Sequence, residues 1–133
     1  MVVVSFNFNK IVAERKSAPR GGIKVSSNVS IKDVEPIDFN LGNSKQKALK
    51  YIYEFISKFE PDVGSLEITG DILDLQEDKK VDEIVKGWKK DKQLKKEVVA
   101  PIINLVLSKC NIKALMLSQD VNLPSPIKLP RVK

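Results

Sequence analysis

An α+β fold, a four-stranded antiparallel sheet followed by a short helix and a long C-terminal helix packed on one of its faces, is the architecture this sequence predicts. Two observations predict it. Up to Leu75 apolar and polar residues alternate with a period of two, in segments cut by turn-forming residues. From Val81 onward apolar residues recur at helical spacing instead. Strands grouped first and helices grouped last give a sheet with its helices segregated to one side. The elements are expected within a single domain spanning residues 1–133.

The first strand, residues 2–15, alternates Val2, Val4, Phe6 and Phe8 with Val3, Ser5, Asn7 and Asn9, which predicts that the even positions point inward. Pro19 and Gly21-Gly22 make a turn. The second strand, residues 23–34, sets Ile23, Val25, Val29 and Ile31 against lysines, serines and Asn28, a pattern with one wet face. Pro36 and the stretch Asn40 to Ser44, with Gly42, read as a loop. The third strand, residues 48–60, carries Leu49, Tyr51, Tyr53, Phe55 and Phe59 on one face. Its other face holds Lys50, Glu54 and Lys58, but also Ile52 and Ile56, where a solvent-facing strand is normally polar. The turn at Pro61-Asp62-Val63-Gly64 leads into the fourth strand, residues 65–75, as a hairpin.

Val81, Ile84, Val85 and Trp88 then fall at i, i+3, i+4 and i+7. They predict a short helix over residues 79–92, with Asp82 and Glu83 near its start and Lys86, Lys89 and Lys90 towards its end, as the helix dipole favours. A long helix over residues 97–119 follows, starting near or kinking at Pro101, and it cannot pass Pro124. The tail, residues 120–133, is extended by its prolines, with Ile127 and Leu129 on one side.

Composition bounds the function. The chain has 133 residues, a net charge of +6, one cysteine and no histidine. The missing histidine removes the usual general base and the commonest metal ligand. Cys110 sits on an apolar helical stripe and reads as an inert buried thiol, and Trp88 as a core anchor. The glycines match neither a phosphate loop nor a dinucleotide fingerprint. No catalytic, metal or cofactor site is expected. No signal peptide and no membrane-length apolar run stand out, and a lone cysteine fits a reducing, cytoplasmic setting. The charge is uneven. Glu54 to Asp78 contains eight acids and one lysine, whereas Lys86 to Lys96 contains six lysines and one acid. An acidic half-sheet beside a basic helix suits either self-complementary contacts or a polyanion.

The run Leu105 to Pro130 carries a resemblance, through Cys110-Asn111-Ile112 and the ending Val121-Asn122-Leu123-Pro124-Ser125-Pro126-Ile127-Lys128-Leu129-Pro130-Arg131. It resembles the ending of an uncharacterised archaeal family related to the SecB export chaperone. The resemblance implies a SecB-like fold and an ATP-independent, chaperone-like protein that binds unfolded polypeptide and assembles into dimers or a tetramer. The chain ends Arg131-Val132-Lys133, without the acidic tail of SecB.

Three sets of residues follow as candidates. A polypeptide-binding patch is expected at Ile52 and Ile56, joined by Leu73 on the neighbouring strand, unless the tail or a twin subunit covers it. The alternative is an RNA- or DNA-associated module using Lys86, Lys89, Lys90, Lys92, Lys95 and Lys96. Homodimer contacts, with doubling to a tetramer, are expected at Ile102, Val106 and Leu117, on a side of the long helix distinct from Ile103, Leu107 and Cys110. Pairing of the valine-rich first strand with its twin would remove an open edge.

Overall fold

Alternating side chains in four consecutive segments build one antiparallel sheet, and the computed structural model describes it through residues 2–18, 22–42 and 44–126. Strands β1 (Val2–Arg15), β2 (Lys24–Leu41), β3 (Ser44–Glu60) and β4 (Gly64–Leu75) lie in the order β1-β4-β3-β2. Helices α1 (Asp78–Asp91) and α2 (Lys96–Asp120) follow. β2-β3-β4 is a meander of hairpins, and β1 pairs with β4 across the whole intervening sequence. The apolar tail segment expected at Ile127 and Leu129 lies outside the described residues.

The inner face is set by β3. Leu49, Tyr51, Tyr53, Phe55 and Phe59 are all buried, and across from them β4 contributes Leu66, Ile68 and Ile72. β2 and β3 are longer than their alternation predicted, because the chain runs through Pro36 to a turn at Gly42. Pro36 is tolerated because β2 is an edge strand, where a missing N–H breaks no ladder bond. Gly42 turns the chain in the left-handed region, φ 60°.

The expectation that even positions of β1 point inward fails at its ends. The register against β4 shifts between Val3 and Ser5 and again between Phe8 and Lys10. Each bulge adds a residue and reverses the alternation. Val3, Phe6, Phe8, Ile11 and Ala13 therefore share the helix side, and Val4 is left exposed. A third bulge in β2, between Ile31 and Asp33, frees Asp33 to accept a hydrogen bond from the indole of Trp88 at 3.2 Å. That bond fastens α1 to the β2 edge.

α1 buries Val81, Ile84, Val85 and Trp88, the stripe its spacing predicted, against β2 and β3. Each such side chain contributes about 1.5–3 kcal/mol when removed from water. α2 packs on β2, β3 and β4 through Ile102, Val106, Cys110, Ala114 and Ser118. This corrects the expected dimer contacts. Ile102 and Val106 have no exposed surface and share their stripe with Cys110, so the chain's own sheet occupies them; Leu117 keeps part of its surface. The reason is the path of the stripe. It advances four residues at a time, drifting around a helix that is apolar on every side, so no single wheel face identifies it. α2 starts at Lys96, well ahead of Pro101, which is exposed within it. Beyond α2 the Leu123 side chain is buried, with its N–H donating to the Ser118 carbonyl.

Candidate functional site

Two surfaces stand out, one apolar and one basic. The apolar surface exists because the helices cover β2, β3 and β4 and leave the inner face of β1 at the rim. Phe8 and Ile11 are 39% and 38% exposed there. Half-buried Phe6 stacks on Tyr53, with ring centroids 5.1 Å apart, and meets Phe8 edge-on at 5.3 Å. The Lys113 ammonium stands over the Phe8 ring at 5.8 Å, so α2 borders this strip. On the same helix Ile112 and Met116 are 63% and 54% exposed, four residues apart and hence neighbours on its surface. The expectation of no membrane-length apolar run is corrected at α2, which is long and apolar enough, by length and composition alone, to cross a membrane. Here one stripe of it is spent on the sheet and the rest is not.

The expected patch lies elsewhere and is less exposed. Ile52, Ile56 and Leu73 sit on the sheet face opposite the helices, all half-buried. Ile52 is flanked across the strands by Asp71, Ile56 by Asn28 and Glu67, and Leu73 by Ser5 and Lys50. The same face is crossed by the ion pairs Lys32–Glu54 at 3.3 Å and Lys10–Glu67 at 3.8 Å. Asp71 accepts hydrogen bonds from the amides of Asn7 at 3.0 Å and Asn9 at 2.7 Å. These are polar neighbours at short range, and they interrupt the isoleucines as a continuous apolar area. The large exposed hydrophobics among the described residues are Val4, Phe8, Ile11, Ile112 and Met116. What the alternation of β1 concealed was the bulge at Asn9, which turns Ile11 to the same side as Phe8.

Much of the acidic stretch is engaged within the sheet. Glu54, Glu67 and Asp62 each have a lysine within 4 Å, and Asp74 is buried with an amide of Gln76 at 2.8 Å. The basic surface is freer. Lys86, Lys89, Lys90, Lys92, Lys95 and Lys96 are exposed on α1, the following turn and the first turn of α2. Of these, Lys95 pairs with Glu83 at 3.2 Å and Lys92 stands over the Trp88 ring at 5.6 Å. The remaining four have no carboxylate within 4 Å among the described residues.

Buried titratable groups lie beneath, not on, these surfaces. The Cys110 thiol rests against the Tyr53 hydroxyl, and burial pushes its pKa up to about 11. Burial raises Tyr51 and Tyr53 above the ordinary tyrosine value, helped by Asp74 for the first and by Cys110 for the second. A thiol held protonated and sealed from solvent is a packing group, not a nucleophile. No group of three potential metal ligands occurs among the described residues.

No family model matches the chain, and no curated protein matches it in sequence. Among solved structures it is similar to a SecB-like chaperone of Mycobacterium tuberculosis, Rv1957, determined in complex with a ChAD peptide from the Rv1956 HigA1 antitoxin. The likeness covers 99% of this chain and 90% of that one, with a TM-score of 0.55 at 12% identity. Identity that low speaks for architecture alone: four antiparallel strands followed by two helices, in the arrangement of the SecB-like fold.

Proposed function

We propose that this protein binds extended or unfolded polypeptide without catalysis, as a soluble, cytoplasmic, chaperone-like homo-oligomer. The observation that carries the reading is the uncovered inner face of β1, where Phe8 and Ile11 stand exposed beside half-buried Val3 and Phe6. Large apolar side chains grouped at the rim of a sheet mark interaction surfaces. An extended client laid along that face would bury alternate side chains against the phenylalanines while its backbone stays free to vary, which suits low sequence specificity. The fold of a chaperone whose structure holds a bound peptide adds support of a general kind. Self-association is assigned to the outward side of α2, through Ile112 and Met116, because a helix apolar all round needs a second partner.

The two roles separate by mutation. Phe8→Ser with Ile11→Ser should abolish suppression of aggregation of a chemically denatured client, while light scattering still finds the parental assembly. Ile112→Asp with Met116→Asp should shift the assembly towards monomer. Should Ile52→Ser with Ile56→Ser remove suppression while the β1 variant keeps it, the client face is the outer side of the sheet and β1 is not the binding strand.

A further inference from the structure

Gly87 is the residue of α1 that packing does not explain. It lies inside the helix, where glycine costs about 1 kcal/mol relative to alanine. A Cβ placed on it would meet nothing within 4 Å, so no internal contact demands its absence. It lines a groove of about 70 Å³ between α1 and the start of α2. The groove has an aliphatic lining, Ile84, Leu94 and Val98, and a rim of mixed charge, Lys80 and Lys95 with Glu83 and Glu97, of which Glu83 is paired with Lys95. Beside it, Lys79, Lys86 and Lys90 recur at i, i+7 and i+11 and so share the outward pole of α1. Two of the four carboxylates of that helix are engaged by lysines, Asp82 with Lys47 at 3.3 Å and Glu83 with Lys95 at 3.2 Å, while Asp78 and Asp91 lie at its two ends. Lys79, Lys86 and Lys90 have no carboxylate within 4 Å among the described residues.

We infer that this groove and pole together form a docking site for an acidic linear peptide segment carrying one aliphatic residue. The aliphatic side chain fills the groove over Gly87, and carboxylates on either side reach the lysines. Alternate residues of an extended peptide are about 7 Å apart. Lys86 and Lys90 are separated by a rise of about 6 Å, so two acids spaced by one residue meet both. A nucleic acid fits less well. The lining offers no aromatic face for a base to stack on, and lysines lack the bidentate fork that arginine offers a phosphate. The site is separate from the β1 face and stands whether or not that face binds clients.

The test uses the full chain and a fluorescein-labelled peptide of aspartates and glutamates around one leucine, read by anisotropy. Three controls accompany it: the same peptide with serine for leucine, one with lysines for the acids, and an oligouridylate. The acidic leucine peptide should bind, and the serine and lysine versions should bind at least about tenfold more weakly, a difference worth 1.4 kcal/mol. Gly87→Leu, which fills the groove, and Lys86→Ala with Lys90→Ala should each weaken the leucine peptide by a similar factor. Gly87→Ala should weaken it less while raising the melting temperature, since a helix-interior glycine is replaced. Phe8→Ser with Ile11→Ser should leave this binding unchanged. Equal binding of the serine peptide, or indifference to Gly87→Leu, overturns the groove. Oligouridylate binding more tightly than the peptide, lost with the lysines but not with Gly87→Leu, makes the pole a nucleic-acid surface instead.

Discussion

Substitution of Gly70 by alanine is the sharpest probe of how the sheet closes. Gly70 pairs with Tyr53 on one side and Phe8 on the other, in the middle of the central strand β4. The Tyr53 ring lies across it, and the hydroxyl passes over to donate to the Asn7 carbonyl on β1 at 2.9 Å. A Cβ at position 70 would come within 2.5 Å of that hydroxyl and closer still to the Asn7 carbonyl oxygen. One obstacle is backbone and the other a fully buried ring, so neither yields cheaply. Overpacking of this kind costs about 1–3 kcal/mol. Displacing the tyrosine also forfeits its hydrogen bond, about 1 kcal/mol more. Gly70→Ala should therefore destabilise by about 3 kcal/mol, which for a chain of this size lowers the melting temperature by roughly 10 °C. Urea unfolding should show a lower midpoint with an unchanged slope. In a Tyr53→Phe background, itself costing about 1 kcal/mol, the alanine should cost less, because one of the two obstacles has been trimmed. A loss below about 1 kcal/mol in the parent would show that β1 and Tyr53 can retreat together, and that close packing at Gly70 does not hold the two strands in place.

Val106→Asp should prevent folding, since it puts a carboxylate into a fully buried contact between α2 and the sheet; circular dichroism of a folded variant would contradict the placement of that stripe. Trp88→Phe should cost about 1 kcal/mol in urea unfolding, the worth of the indole bond to Asp33. Cys110 should react with an aromatic disulfide reagent no faster than the protein unfolds, because its pKa is raised to about 11 and its surface is sealed. The same shift fixes a sign in alkali. The folded thiol holds its proton more tightly than the unfolded one, so its contribution is intact below pH 9 and is lost as pH rises towards 11. The tyrosines act in the same direction from pH 10 upward. Midpoints of urea unfolding taken across that window should fall; a rise would contradict the burial of these groups.

The strands and α1 were legible because each carries one strong periodicity. β3 has aromatics on four of its six inward positions from Leu49 to Phe59, and α1 repeats its apolar residues at the spacing of a single face. What the sequence hid has three physical causes. Bulges at Val4, Asn9 and Lys32 shift alternation by one residue, and no residue type announces them. Pro36 reads as a break, yet the edge position of β2 makes it harmless, and edge status depends on a strand order that local pattern does not encode. α2 is apolar on all sides, so its sequence says that two partners exist without saying which side meets the sheet. The exposed surface therefore moved from Ile52 and Ile56 to Phe8, Ile11, Ile112 and Met116.

The strand order also dictates a sequence of events in time. β2, β3 and β4 are joined by short turns and can pair as each is made, at little cost in chain entropy. β1 has no such neighbour: Val2 must find Leu75, and Arg15 must find Gly64, with the entire meander lying between them in the chain. Closing so large a loop is slow, and its reward arrives only once β4 exists. During synthesis β1 is thus the earliest of the four strands to emerge and the last to be placed. Its valines and phenylalanines wait unpaired while the meander forms, a window in which another protein's strand could capture them. A chain built this way is, for the length of its own translation, open to capture by its neighbours.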